Sequence, residues 1–192
     1  MEAVQADDPL AFEELMTRNQ TRVRAFLLRL VGNAPLAEDL AQEVFMRVYK
    51  HRATYRREAK FSTWLYRVAH NVACNALRSK SRRPETLFGA AARDGDDQSS
   101  GFESSVTERT SASPTRQIAR LETQQIVRAA VDSLSPRQRE AVMLARFQGL
   151  SYQEIADVME MTPQAVKSLL CRARINLKEA LAPYVNEGKR PS

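Results

Sequence analysis

The chain has 192 residues, a net charge of +6 and a sequence pI near 9.6. That length allows one domain or two small ones, and the basic balance favours a polyanionic partner. Charge and patterning argue against membrane insertion or export: no apolar run approaches the roughly 18 residues of a spanning helix, and Glu2, Asp7 and Asp8 stand where a signal peptide would be positive.

Cys74 and Cys171 lie far apart, and neither is spaced with His51 or His70 as metal ligands are, so no metal and no other cofactor is expected. The expected setting is a reducing cytoplasm with free thiols.

Residues 9 to 31 read as an amphipathic helix. Leu10, Phe12, Leu15, Val23, Phe26, Leu27 and Leu30 recur at spacings of three and four, with Arg18, Arg22, Arg24 and Arg29 among them. Gly32-Asn33 is a stop signal and Pro35 marks the next start. Residues 36 to 51 form a second helix with Leu36, Leu40, Val44 and Val48 on one stripe, widened by Ala37, Ala41 and Phe45. Its other face carries Asp39, Gln42, Glu43, Met46 and Lys50, which spacing alone makes a solvated outer face.

Tyr55 to Lys60 reads as a polar connecting loop. Ser62 or Thr63 then caps a helix reaching about Ser79, with Leu65, Val68, Val72, Ala76 and Leu77 facing inward. Between residues 66 and 83, Arg67, Arg78, Lys80, Arg82 and Arg83 meet no acid. Tyr55, Phe61, Trp64 and Tyr66 cluster at the head of this basic helix. Aromatics beside Arg and Lys suit unpaired nucleic acid, offering faces for bases and cations for the backbone. Taken alone, Trp64 reads as core; the cluster with its charge does not.

From Pro84 to Thr115 the composition shifts to Ser, Thr, Gly and Asp, with six acids against two bases, a net −4. This reads as a flexible linker. It divides the chain into two small helical domains, residues 1–83 and 116–192. In the second, Ile118, Leu121, Ile126, Val127, Ala130 and Val131 support a helix ending before Ser135. Ser135-Pro136 starts another, with Val142, Met143, Leu144 and Phe147 apolar, and Gly149 stops it. There are no strand signals and no internal repeat, so the expected fold class is all-α.

Ser151 to Leu170 reads as a helix-turn-helix. Ser151 with Glu154 forms a capping box, and Thr162 caps a second helix whose first turn accepts Pro163. Ile155, Met159, Met161, Val166 and Leu169 are spaced to share a small core, with Leu169 expected against Ile155. Gln164, Lys167, Ser168 and Cys171 then share the outer face of the second helix at i, i+3, i+4 and i+7, the kind of face a major groove accepts. Gln164, Lys167 and Ser168 fall in its first two turns, where bases are read; Arg172 and Arg174 come later and suit phosphates. That helix continues through Leu177 and Leu181 to Pro183. Glu160 occupies the turn, where a residue tolerant of positive φ, usually Gly, is wanted, so either a strained residue or a slightly different turn is expected. Spacing alone also fits a helical hairpin that binds nothing; Arg172, Arg174 and Lys178 weigh against that.

Taken together, AEDLAQEVFMRVYK, FSTWLYRVAHNVACNALRSKSRRP, an acidic linker and LSPRQREAVMLARFQGLSYQEIADVMEMTPQAVKSLLCRAR closely resemble the extracytoplasmic-function sigma factors of the bacterial sigma-70 family. The resemblance implies that residues about 9 to 83 correspond to sigma region 2 and about 116 to 183 to region 4. It implies docking of Asp39, Gln42, Glu43 and Met46 on the clamp helices of the β′ subunit of core RNA polymerase. It implies melting and reading of the promoter −10 element by the segment holding Phe61, Trp64, Arg67, Asn71, Asn75, Arg78, Arg82 and Arg83, with one base flipped out. Region 4 would read the −35 element through Gln164, Lys167, Ser168, Cys171, Arg172 and Arg174 and sit on the β flap. The linker would thread the polymerase channels, and an anti-sigma factor is the implied regulator. The chain departs from the family's usual residues at Asn75, Glu160 and Leu169, which bears on the promoter sequence read. A free-standing helix-turn-helix regulator would need a ligand pocket or dimer interface in the N-terminal half. An enzyme such as a recombinase would need a catalytic constellation, and the sequence shows none.

Overall fold

The computed structural model describes residues 1–56, 60–82 and 114–186, and every element among them is helical. The helices fall into two compact units, α1 to α4 and α5 to α8. The predicted linker lies outside the described residues except for positions 114 and 115, which already belong to α5.

In the first unit, α1 (Glu2–Gln5) is one short turn that the sequence pattern gave no reason to expect. α2 (Pro9–Val31) is capped by Asp8, whose Oδ1 accepts from the Leu10 and Ala11 N–H groups at 2.9 and 3.3 Å. It ends at Gly32, which takes φ +67 while its N–H donates to the Leu28 carbonyl. Asn33 caps α3 (Ala34–Lys50) at once, accepting from the Leu36 N–H at 2.8 Å. A 3₁₀ turn (Arg52–Thr54) precedes α4 (Phe61–Arg82).

These helices bury Val23, Phe26 and Leu27 against Leu40, Val44, Phe45 and Val48 and against Leu65, Ala69 and Val72. Four details differ from the sequence reading. Leu10 is 75% exposed, because it sits on the first turn of α2, short of the core. α4 begins at Phe61 with Lys60 in the cap position, the Trp64 N–H bonding to the Lys60 carbonyl; Thr63 is buried inside the helix, and the helix runs on to Arg82 rather than Ser79. Tyr66 leaves the expected aromatic cluster for the core, where it meets Phe26 edge-on at 5.2 Å. Burial pushes its phenol pKa up, with Arg22 pulling part of the way back, so the hydroxyl stays protonated. Leu77, one turn beyond the core, is exposed.

The second unit comprises α5 (Pro114–Asp132), α6 (Pro136–Val142), a π turn (Met143–Phe147), α7 (Tyr152–Met159) and α8 (Pro163–Asn186). Arg139 joins α5 to α6: its guanidinium donates to the Val131 and Leu134 carbonyls, each at 3.3 Å, and to that of Asp132, satisfying the open end of α5. Ser135 caps α6 in a full box with Gln138, whose Oε1 also accepts from Asn176 of α8 at 3.3 Å. Gly149, at φ +66, ends the π turn, and the Leu150 N–H reaches back six residues to Leu144. α8 passes through Pro183 instead of stopping there.

Leu134, Ala141, Leu144, Ile155, Val158, Val166, Leu170 and Ala173 form the buried centre. The sequence reading placed Leu169 in this core, and the structure places Leu170 there. From Val166 the inward row of α8 runs by four to Leu170 and by seven to Ala173, leaving Leu169 at the half-buried margin. Leu121 and Val127, two of the apolar residues that support α5, are exposed, as is Phe147 at the end of the π turn.

This placement yields a paired expectation. Leu170→Ala should lower stability by about 2–5 kcal/mol, as for a buried leucine truncation, whereas Leu169→Ala should cost clearly less. Denaturant unfolding of both variants checks it; equal losses would contradict the placement.

Candidate nucleic-acid interface

Two exposed cationic faces stand out, one in each unit. The first is on α8, and the preceding turn fixes its setting. Ser151 accepts from the Glu154 N–H at 3.3 Å while the Glu154 carboxylate accepts from the Ser151 N–H at 2.8 Å, closing the predicted capping box of α7. α7 ends at Glu160, which adopts φ 54 and ψ 49, the left-handed region, and the Met161 N–H folds back to the Ala156 carbonyl at 3.0 Å. Thr162 caps α8, its Oγ1 accepting from the Ala165 N–H at 3.2 Å. The chain therefore makes the tight turn the motif requires and tolerates a side chain at positive φ to do so.

With Val166, Leu170 and Ala173 facing the core, Gln164, Lys167, Ser168, Cys171, Arg172 and Arg174 are all exposed. At 100° per residue, Gln164 and Ser168 lie near the centre line of the outer face, Cys171 and Arg172 flank it about equally on opposite sides, and Lys167 and Arg174 lie further round on the Cys171 side. Ile175, 52% exposed and one turn beyond Cys171, extends that line; the sequence reading passed over it because an isoleucine in a helix usually faces inward. Neither Cys171 nor Cys74 forms a disulfide.

The second face is on α4. Phe61, Trp64, Arg67, Asn71, Asn75 and Arg78 follow one another at steps of three and four residues and so share one side of the helix. Arg67, Asn71, Asn75 and Arg78 are exposed, and Phe61 and Trp64 are half-buried at its head. Tyr55 joins them: its ring centroid lies 5.3 Å from Trp64 and 6.1 Å from Phe61, and Phe61 and Trp64 are 6.0 Å apart. The half-burial of Trp64 falls between its two sequence readings, core and cluster. Among the described residues neither Arg67 nor Arg78 has a carboxylate partner, so both leave charge on this face. Arg82 closes the last turn of α4, and Arg83 lies outside the described residues.

The outer face of α3 is of another kind. Asp39, Gln42, Glu43 and Met46 are all exposed, at i, i+3, i+4 and i+7, and Met46 is 73% exposed. Glu43 pairs with Arg47 and Glu38 with Arg24. An acidic row around a bare thioether repels phosphate and suits a protein surface. Among the described residues no group of His, Cys, Asp and Glu could hold a metal ion, and no helix is long and apolar enough to cross a membrane.

Comparison with known proteins gives a consistent outcome. Residues 15–83 match the profile of Sigma-70 region 2, and residues 124–177 match that of Sigma-70, region 4. The chain is 34% identical over 187 residues to the RNA polymerase sigma-H factor of Pseudomonas aeruginosa, covering 97% of this chain and 94% of that protein. It is 33% identical over 187 residues to the ECF RNA polymerase sigma-E factor of Escherichia coli, covering 96% and 94%. In fold it is similar to the sigma factor RpoE from Bartonella quintana, crystallised with the anti-sigma factor NepR, at a TM-score of 0.65 and 22% identity over 90% of this chain and 97% of that one. It is similar also to CnrH, solved with the cytosolic domain of CnrY, at a TM-score of 0.63 and 20% identity over 94% of each chain.

The geometry of the turn supplies its own test. Glu160→Gly should raise stability by roughly 0.5–1 kcal/mol, the left-handed cost less the freedom glycine adds to the unfolded chain. A denaturant midpoint that falls would show that the Glu160 side chain stabilises the turn more than its backbone strains it.

Proposed function

The chain belongs to the extracytoplasmic-function group of the sigma-70 family, and on that premise we propose how it divides a transcription initiation factor's task between its two units. It binds core RNA polymerase, with Asp39, Gln42, Glu43 and Met46 of α3 set against the clamp helices of β′. Holoenzyme then recognises a promoter at two elements. α8 enters the −35 major groove, Gln164, Lys167, Ser168 and Cys171 facing base edges while Arg172 and Arg174 hold phosphates on either side. The face of α4 captures the melted −10 strand, with Asn71 and Asn75 reading it and Arg67, Arg78, Arg82 and Arg83 holding its backbone.

The observation that carries this reading is the arrangement on α4, three aromatic rings in contact at the head of an exposed row of arginines and asparagines. Opening a duplex costs a few kcal/mol per extruded base, and base–aromatic stacking returns about 1–3 kcal/mol per base. A surface of this kind favours the open state without any chemistry, so the protein works as a binding subunit rather than an enzyme. The acidic stretch from 84 to 115 would run through the polymerase's own nucleic-acid channels, its charge standing in for phosphate. RpoE of Bartonella quintana was crystallised with an anti-sigma factor, which supports control of this chain by a partner of that kind in the cytoplasm.

Run-off transcription with and without core polymerase tests the whole reading. Specific transcripts should require both components. Tight, sequence-specific duplex binding by the isolated chain at physiological salt would instead indicate a free-standing regulator.

The division of labour on α8 is tested with holoenzyme on a panel of −35 variants. Lys167→Ala should lose about 1–3 kcal/mol at one promoter position and relax the preference there. Arg172→Ala should weaken all promoters alike and reduce the salt dependence by roughly one charge. The reverse pattern would reassign the reading face.

A further inference from the structure

We infer that α1 is a positioning element for the aromatic cluster of Tyr55, Phe61 and Trp64: Gln5 and Asp7 hold the backbone at residues 52 to 55 in the place from which Tyr55 completes the cluster. One turn of helix does not persist by itself, so something outside α1 must fix it. Val4 is one anchor, 1% exposed in the core of the first unit. The other anchor is the segment in front of α4. The Gln5 side-chain amide donates to two main-chain carbonyls there, that of Arg52 at 3.1 Å and that of Tyr55 at 2.8 Å. Both carbonyls belong to the short connection that delivers the Tyr55 ring.

Asp7 fixes the path that brings Gln5 to this place. It adopts φ 65, a left-handed conformation rare for a residue with a side chain. Its carboxylate accepts from the Tyr49 hydroxyl at 3.0 Å and from the Arg52 guanidinium at 2.6 Å. Arg52 lies 4.0 Å over the Tyr49 ring and also donates to the Tyr49 carbonyl at 2.9 Å. The reversal at Asp7, the end of α3 and the 3₁₀ turn are therefore bonded to one another, and Gln5 extends the bonding to Tyr55. α1 also walls one side of a groove of about 870 Å³ whose lining includes Gln5, Tyr55, Lys60 and Phe61. The match to sigma region 2 begins at residue 15, so α1 lies outside it.

A ring that must meet an unpaired base gains from being held in place beforehand, since the ordering cost is then met on folding and not on binding. In this sense the inference rests on the proposed reading of the cluster, and the experiment separates the two. Trp64 is the chain's single tryptophan, so its emission reports the cluster directly in the full-length free protein. Gln5→Ala removes both donors, and Gln5→Glu sets a carboxylate against the same two carbonyls. Both variants should shift Trp64 emission to the red and raise its quenching by acrylamide. The melting temperature should move little, because Gln5 is exposed and Val4 is untouched. In holoenzyme both should bind a single-stranded −10 oligonucleotide about fivefold more weakly, near the lower limit for losing one base stack, with the salt dependence unchanged. Wild-type emission and quenching in both variants would overturn the inference, as would a Trp64 change that appears only together with a large fall in melting temperature. A Trp64 change with undiminished oligonucleotide binding would uphold the positioning and remove the cluster from the nucleic-acid surface.

Discussion

A helix can offer a defined face only if its opposite face is held, and everything the two units present depends on that rotational constraint. On α8 the constraint is the inward row Val166, Leu170 and Ala173; on α4 it is Leu65, Tyr66, Ala69 and Val72. Burying such rows is worth about 25 cal/mol per Å² of apolar surface, far more than any single exposed ion pair contributes. The core therefore sets the angle of each helix about its axis, and the polar residues receive their direction from it. Glutamine, lysine and serine on α8 form an outward surface because the apolar residues between them cannot face water.

Rotation alone leaves the helices free to slide, and the end groups remove that freedom. Asp8, Asn33, Ser135, Ser151 and Thr162 each accept a main-chain N–H at the start of a helix, which fixes where the helix begins. Arg139 does the corresponding task at the end of α5 by collecting its last carbonyls. The bond from Asn176 to Gln138 then ties the middle of α8 to the start of α6, so the helix with the cationic outer face is tethered well away from its own turn.

How much of this could be read from the sequence depended on whether the signal was local. The capping box at Ser151, the cap at Thr162 and the stop at Gly32 follow from residue types at fixed offsets, and the structure has them; at Glu160 the residue type admits either a strained residue or a different turn, and the structure has the former. The long stripes of α2 and α3 were equally legible, because a periodicity of 3.6 is overdetermined by many residues. Where two neighbouring positions are both apolar, periodicity cannot choose: Leu169 and Leu170 differ by one step of 100°, and only the packing of α8 within its unit decides between them. Tyr66 was misplaced because an aromatic beside arginines fits a binding surface and a core equally well until Phe26 is seen across from it. α1 was invisible for a different reason. Its stability comes from the burial of Val4 and from Gln5 and Asp7 reaching residues more than 40 positions away, and no pattern within the segment records that. The outer face of α3 is a solvated surface by spacing alone, and its role comes only from the resemblance; the faces of α4 and α8 point to nucleic acid by residue type, and the resemblance adds the promoter elements they would meet.

The separation between the inward and outward rows of α8 has a consequence for divergence. Surface substitutions away from caps and cores usually change stability by within about 0.5 kcal/mol, and Gln164, Lys167, Ser168 and Cys171 hold neither a cap nor a core position. A lineage can alter them one at a time, and each intermediate still folds. The row beneath them has no such liberty, because a change at Val166, Leu170 or Ala173 disturbs the packing that aims the helix. Duplicated copies of such a gene can therefore drift apart in the surface this helix presents while remaining interchangeable in how they are built.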